Sequence, residues 1–122
     1  MYNILIVGMG GFIGASLRYV IYKVSEKLLG NLYPYGTLTV NVLGCFLIGI
    51  MMSSINVSDN YKLFLITGIL GGLTTFSAFA YETTNMFTSD KITMAFINIF
   101  LNLTLCFIGV IVGRYLMLGS IK

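Results

Sequence analysis

The side chains at positions 75–79 of the third apolar run have types and a spacing that suit a small anion. Thr75 and Ser77 carry hydroxyl groups on either side of Phe76, and hydroxyl donors can replace part of an anion's water shell. Phe76 and Phe79 are three residues apart, so on a helix their rings share one face. The positive edge of an aromatic ring can meet an anion without a charged side chain. The cluster favours an anion path, although rings that simply pack against lipid or another helix would show the same spacing.

The residues before this cluster are poor helix formers. Three glycines and two adjacent threonines fall between Gly68 and Thr75, and each weakens a helix relative to alanine. In a bilayer, a backbone group freed from the helix must be satisfied by a neighbouring helix, a hydroxyl or a bound ion. We therefore predict that the third helix is broken at its centre, from Gly71 to Thr75. The alternative is an unbroken helix that uses Gly68 and Gly72 for close packing.

The composition predicts an all-α membrane protein. Of 122 residues, 57% are hydrophobic and only 9% are charged, and a span needs about 20 mostly apolar residues. Four such runs fill the chain as a single domain of four transmembrane helices, at residues 3–22, 36–56, 62–87 and 92–118. The first residues lack the basic segment of a cleavable signal peptide, so the first run is expected to remain as a span.

The same composition argues against an enzyme and against nucleic-acid binding. The chain has no histidine, the commonest general base, and no paired carboxylates. Cys45 and Cys106 lie within spans at a spacing that fits no zinc pattern, so we interpret them as small apolar residues. A net charge of +3 spread over loop ends is ordinary for a membrane protein.

Five polar residues in the other spans and in the later part of the third need partners. Asn41 needs a neighbouring helix or a polar path, and Asn98 and Asn102, four residues apart, should face protein or a water-lined track. Arg18, near the end of the first span, indicates a functional or structural site, or else a side chain that reaches the interface. Glu82 is the only acid well inside an apolar run, and function and interfacial placement both remain open for it.

Three stretches resemble the Fluc (CrcB) fluoride channels. Residues 71–79 read GGLTTFSAF and resemble that family's GGxTTFSTF signature. Residues 11–19 (GFIGASLRY) are similar to its GGxxGAxxRY motif, and residues 36–46 (GTLTVNVLGCF) to its GTLxVNxxGxF motif. The chain departs from the pattern at Ala78, where threonine is usual, and at Asn98 and Asn102, where tyrosine and serine are usual.

The resemblance implies a passive channel that exports cytoplasmic fluoride through the cell (inner) membrane and so relieves fluoride toxicity. It implies two pores in an antiparallel dimer, with a structural sodium ion at the centre. The freed backbone carbonyls of Gly71 and Thr74 from both copies are the expected ligands of that ion. Arg18 would supply charge at the entrance or hold helix ends together. The expected fluoride pathway comprises Asn41, Thr75, Phe76, Ser77, Phe79, Glu82, Asn98 and Asn102.

The residues themselves also argue for an oligomer, because four helices alone cannot enclose much of a polar path. Positive charge sets the orientation of a membrane protein, and here the two sides are nearly balanced. One side has Lys62, Arg114 and Lys122, and the other has Arg18, Lys23, Lys27 and Lys91. We therefore predict dual topology, with the partner being a second copy in the opposite orientation or a sister subunit.

Two other function classes remain as alternatives. A small multidrug-type proton-coupled antiporter also has four spans, but it needs a deep carboxylate in its first span, and Glu82 in the third is the only substitute here. A non-transporting assembly subunit would explain the glycine pairs but not the hydroxyl and aromatic cluster.

Overall fold

The computed structural model describes residues 1–53 and 58–119, and the regular structure within those ranges is helical. Helix α1 spans Tyr2–Leu29, α2 spans Tyr35–Ser53 and α6 spans Ile92–Gly119. With the third span, Asp59–Thr88, these make four helices long and apolar enough to cross a membrane. The predicted all-α architecture with four apolar helices is confirmed. The predicted end of the second span at residues 54–56, and Lys122 of the charge count, lie outside the described residues.

The third span consists of several segments. It begins with α3 (Asp59–Lys62), continues as a π-helical segment (Leu63–Leu70) and α4 (Gly71–Leu73), and resumes as α5 (Phe76–Thr88). Between α4 and α5, Thr74 and Thr75 are extended, with ψ angles of 157° and 112°. The span bends only slightly there, so the break at its centre stays a prediction.

Glycines allow α1 to lie directly against the third span. A Cβ atom at Gly68 would lie 2.8 Å from the Cα atom of Gly10, and one at Gly72 would lie 2.6 Å from the carbonyl oxygen of Gly11. Real side chains do not tolerate such contacts, so larger residues at Gly68 or Gly72 would separate the two helices. This contact fixes the approach of the third span to α1.

Helices α2 and α6 form a second close pair. A Cβ atom at Gly109 would lie 3.2 Å from the carbonyl oxygen of Val42, and Gly113 abuts the backbone of Phe46. On another side of α2, Val40 packs with Leu70 and Leu73 in a buried cluster. Helix α2 therefore lies between α6 and the third span, and it can connect them through its polar side chains.

The outer surface is apolar. Large side chains on α1 and α6 that are exposed in the single chain include Leu5, Phe12, Phe100, Phe107 and Tyr115. A surface of this kind fits lipid or another protein rather than water.

Candidate anion pathway

The two phenylalanines of the predicted pathway form a ring pair at the start of α5. The ring centroids of Phe76 and Phe79 lie 5.5 Å apart, and the ring planes are tilted by 60°. Phe79 is buried, whereas Phe76 is 74% exposed in the single chain. Helical spacing therefore brings the rings together as predicted, and one of them points out of the protomer.

The two hydroxyl groups flank this ring pair, and they have different surroundings. The Thr75 Oγ1 atom accepts a hydrogen bond from the Ala78 N–H at 3.1 Å, which caps the N-terminus of α5. The Ser77 hydroxyl lies 3.2 Å from the same oxygen. Thr75 is buried, whereas Ser77 is exposed. The Ser77 hydroxyl is therefore the member of the pair that faces open space.

Asn41 on α2 binds the extended backbone at Thr75 with both ends of its amide. Its Oδ1 atom accepts from the Thr75 N–H at 2.8 Å, and its Nδ2 atom donates to the Thr75 carbonyl oxygen at 3.1 Å. The Nδ2 atom also donates to Asn102 Oδ1 at 3.3 Å. An amide nitrogen has two hydrogens, so both Asn41 donors are directed at protein groups in this structure. We call this double contact with Thr75 the Asn41 clasp.

The two asparagines of α6 face protein, which is one of the two surroundings that the sequence predicted for them. Asn98 is fully buried and Asn102 is 4% exposed. Asn102 Nδ2 donates to the carbonyl oxygen and to Oδ1 of Asn98, at 3.1 and 3.0 Å. Asn98 Nδ2 donates to Thr83 Oγ1 at 2.9 Å, and Thr83 donates to the Phe79 carbonyl oxygen at 2.7 Å. A chain of hydrogen bonds thus runs from α2 through α6 to the backbone that carries Phe79.

Tyr33, which the sequence analysis did not single out, anchors the far end of this chain. Its hydroxyl donates to Asn98 Oδ1 at 2.8 Å. Burial, with smaller effects from Tyr35 and Glu82, raises the pKa of the Tyr33 phenol above its ordinary value, so the phenol stays protonated and remains a donor. The contact joins residues 65 positions apart, so no local spacing reveals it.

The sequence analysis also did not single out Thr83, although its position on α5 indicates a buried polar contact. It follows Phe76 and Phe79 at helical spacing, so it shares the face of the ring pair. A polar residue on that face pointed to a buried partner.

Glu82 ends a second line of hydrogen bonds between helices. The Thr37 hydroxyl donates to Glu82 Oε1 at 2.6 Å, and the Tyr22 hydroxyl lies 2.8 Å from Thr37 Oγ1. The Oε2 atom of Glu82 is buried and has no hydrogen-bond partner among the residues that the structure describes. These three residues, with Tyr33 and Lys91, contribute to the wall of an open cavity of about 360 Å³. Glu82 therefore both connects α5 to α2 through a hydrogen bond and lines a cavity.

Arg18 lies close to the hydroxyl pair at the start of α5. Its Nη1 atom donates to the Thr74 carbonyl oxygen at 3.4 Å, a long hydrogen bond. Arg18 also lines an open depression of about 490 Å³ together with Thr75, Ser77 and Tyr81. The structure thus brings a positive side chain beside the hydroxyl pair.

The two residues expected to hold a cation present carbonyl groups that have lost their usual helical partners. The Thr75 N–H donates to Asn41 rather than to the Gly71 carbonyl, and the Ala78 N–H donates to Thr75 Oγ1 rather than to the Thr74 carbonyl. Carbonyl oxygens suit a small hard cation. Among the described residues, no group of three or more cysteine, aspartate or glutamate side chains could hold a metal. The fit therefore depends on backbone oxygens, and the contact of Arg18 with the Thr74 carbonyl opposes it.

Comparison with known proteins places these residues in a family. The family model described as CrcB-like protein, Camphor Resistance (CrcB), matches residues 5–114. The chain belongs to the CrcB family. Among curated CrcB relatives, a protein of Clostridium perfringens is 53% identical over 116 residues, covering 92% of this chain and 91% of its own length. One of Clostridium novyi is 50% identical over 117 residues, with the same coverage. One of Methanococcus aeolicus is 44% identical and covers 100% of both chains.

Each of these CrcB relatives is named a fluoride-specific ion channel. The family that the three sequence motifs indicated is therefore confirmed. Four apolar helices together with ion-channel relatives also make the chain a multi-pass membrane protein.

Proposed function

We propose that this chain forms a passive, fluoride-selective channel that exports cytoplasmic fluoride across the cell (inner) membrane and so relieves fluoride toxicity. The observation that carries the proposal is the cluster at the start of α5, where a ring pair and a hydroxyl pair adjoin in a protein whose relatives are named fluoride-specific ion channels. Those relatives are ion channels rather than enzymes, in agreement with the expectation that this chain has no enzymatic activity.

The start of α5 offers fluoride three kinds of positive group without a charged side chain. The first N–H groups of a helix lie outside its hydrogen-bond ladder and form its positive end. The exposed Ser77 hydroxyl adds a donor, and the edges of Phe76 and Phe79 add a weaker positive surface. A small anion sheds much of its water against such groups, and we expect a larger halide to be excluded by the width of the path and by the few groups that could accept it.

The three asparagines of the proposed pathway mainly hold other groups of the pathway in place. Asn41 holds the Thr75 backbone, Asn102 accepts one Asn41 N–H, and Asn98 joins Asn102 to α5. Because these donors are already used by protein groups, the asparagines fix where the ring pair and the hydroxyl pair lie. Fluoride then passes along a face that they shape.

The two open cavities are the proposed ends of the path within one protomer. Arg18 raises the positive potential in the depression that also contains Thr75 and Ser77, which favours the entry of an anion. Glu82 and Thr37 line the other cavity. Fluoride leaves the ring pair toward that side.

The channel is proposed to be an antiparallel dimer of two copies of this chain. Phe76 is 74% exposed in the single chain, so one side of the ring pair lacks a wall that a second copy would provide. The nearly balanced positive charge of the two sides favours insertion in both orientations. Two symmetry-related ring pairs give two pores per dimer, and lipid surrounds the remaining apolar surface.

A structural sodium ion is proposed at the centre of this dimer, on the carbonyl oxygens of Gly71 and Thr74 from both copies. Bound there, it would be held by carbonyl oxygens that have lost their helical N–H partners, and it would join the two third spans. Replacing sodium by N-methyl-D-glucamine during purification should then weaken the dimer on size-exclusion chromatography. An unchanged dimer in sodium-free buffer would remove the ion from the proposal.

The proposal is tested by fluoride efflux from liposomes that contain the purified protein. A passive channel releases fluoride when valinomycin lets potassium follow, and it needs no proton gradient. The antiporter alternative, which the relatives do not favour, predicts transport that depends on a proton gradient and loses that dependence in Glu82→Gln. Efflux that requires a proton gradient in the unmodified protein would contradict a passive channel.

A further inference from the structure

The two cysteines of the chain lie opposite one another in the contact between α2 and α6. Cys45 and Cys106 are side-chain neighbours, and both are free and partly buried. The backbones are close at this level, because a Cβ atom at Gly109 would lie 3.7 Å from the Cβ atom of Cys45. Neither thiol plays a part in the proposed fluoride path.

This thiol pair continues the polar contacts between the same two helices. Cys45 follows Asn41 by four residues and Cys106 follows Asn102 by four residues, so each cysteine lies one helical turn beyond its asparagine. Asn41 donates to Asn102 at 3.3 Å, and the two cysteines lie one turn further along their helices. A ligand that joins the thiols would therefore act next to the Asn41 clasp.

We propose that Cys45 and Cys106 together bind one soft d¹⁰ cation, such as Hg²⁺ or Cu⁺, through two thiolates. Soft thiolate ligands select soft metals, and two facing sulfur atoms supply the ends of a linear site. A structural zinc site needs four ligands, and the described residues offer no third cysteine, aspartate or glutamate in a metal-binding group here. With mercuric chloride the step is an exchange without redox: two S–H bonds and two Hg–Cl bonds break, two Hg–S bonds form, and two protons and two chlorides leave.

Binding at this pair would also inhibit the proposed channel, and that part depends on the proposed function. A metal bridge fixes α2 to α6 one turn from Asn41, which moves the amide that holds the Thr75 backbone. Because mercuric chloride is uncharged, it can reach thiols within the bilayer.

The test uses mercuric chloride and the purified full-length protein, with Cys45→Ser, Cys106→Ser and the double variant as a matched series. After exposure and desalting in excess monothiol, the unmodified protein should retain one mercury per chain and lose both titratable thiols. The monothiol concentration that removes mercury from each single variant should be about 10²-fold to 10⁴-fold lower than the concentration needed for the unmodified protein. Only the unmodified protein has a second thiol at high effective concentration. Retention by both single variants equal to that of the unmodified protein, or two mercury ions per chain, would overturn the site.

Fluoride efflux gives the second measurement. Mercuric chloride should lower efflux at least tenfold in the unmodified protein and leave the double variant unaffected. Equal inhibition of both would overturn the inhibitory role. Should the untreated protein transport no fluoride, the proposed function fails, while the mercury stoichiometry still tests the site. If serine impairs folding, the corresponding alanine variants repeat both measurements.

Discussion

The hydrogen bond between Asn41 and Asn102 distinguishes two roles for Asn41, because Asn102→Ala leaves the Asn41 clasp in place. In this variant one Asn41 N–H loses its acceptor while both contacts with Thr75 remain. If Asn102 acts by positioning Asn41, fluoride efflux should fall. If Asn41 served fluoride as a direct donor that Asn102 merely occupies, the variant would free that donor, and efflux would hold or rise.

The expected size follows from hydrogen-bond energies measured within membranes. Such bonds contribute about 0.6 kcal/mol on average, and about 1.4 kcal/mol is a tenfold change in rate. Asn102→Ala removes the bond from Asn41 and the two bonds to Asn98, worth roughly 1.8 kcal/mol together, and should slow efflux about 20-fold. Asn41→Ala removes three bonds, worth roughly 1.8 kcal/mol together, and should slow efflux about 20-fold. If the two residues act as one unit, the double variant should also be about 20-fold slower, rather than the roughly 400-fold expected from independent effects.

The assay is the initial rate of valinomycin-triggered fluoride efflux, scaled to the amount of protein in the liposomes. Thr84→Ala is the matched control, because the Thr84 hydroxyl is exposed and donates only to the Ala80 carbonyl oxygen one turn earlier. Normal efflux in Asn102→Ala, or a double variant that is slower by the product of the two single effects, would refute the positioning role.

Three further predictions concern α5 and its surroundings. Phe76→Ile and Phe79→Ile should each cut fluoride efflux at least tenfold, but only Phe79→Ile should lower the stability of the protomer fold, by about 1 kcal/mol, because within one chain Phe79 is buried and Phe76 is exposed. Thermal unfolding in detergent checks the stability, and normal efflux in both variants would remove the rings from the mechanism. Thr75→Ala should cost about 1 kcal/mol through loss of the N-terminal cap of α5, and Thr75→Ser should restore it; equal stability of the alanine and serine variants would contradict the capping role. Glu82→Gln keeps an acceptor for the Thr37 hydroxyl, so efflux should persist without proton dependence, whereas abolished efflux would show that the carboxylate itself is required.

The sequence predicted the parts of the fold that depend on local periodicity. Apolar runs of about 20 residues gave four spans whose helices now extend from Tyr2 to Gly119, apart from the loops and residues 54–57. The three-residue spacing of Phe76 and Phe79 placed their rings together, and the four-residue spacing of Asn98 and Asn102 placed both amides on one buried face. Each of these depends on one helix only, so spacing was enough.

The partners of those residues could not be predicted in the same way. Asn41 contacts Thr75 across 34 positions, and Tyr33 contacts Asn98 across 65. Such contacts depend on how α2, α5 and α6 pack together. The sequence interpretation also treated Asn41 as a residue that lines the path, whereas the structure directs its donors to protein groups. Its role as a fluoride contact therefore stays a prediction, which the Asn102 variant tests.

The selectivity for fluoride is the central claim, and the ratio of fluoride to chloride efflux tests it most directly. Liposomes loaded with both potassium salts, with the purified protein and a valinomycin trigger, report both ions from the same vesicles. We expect rapid loss of fluoride and chloride retention equal to that of protein-free vesicles. Chloride loss at a rate comparable to fluoride loss would contradict it.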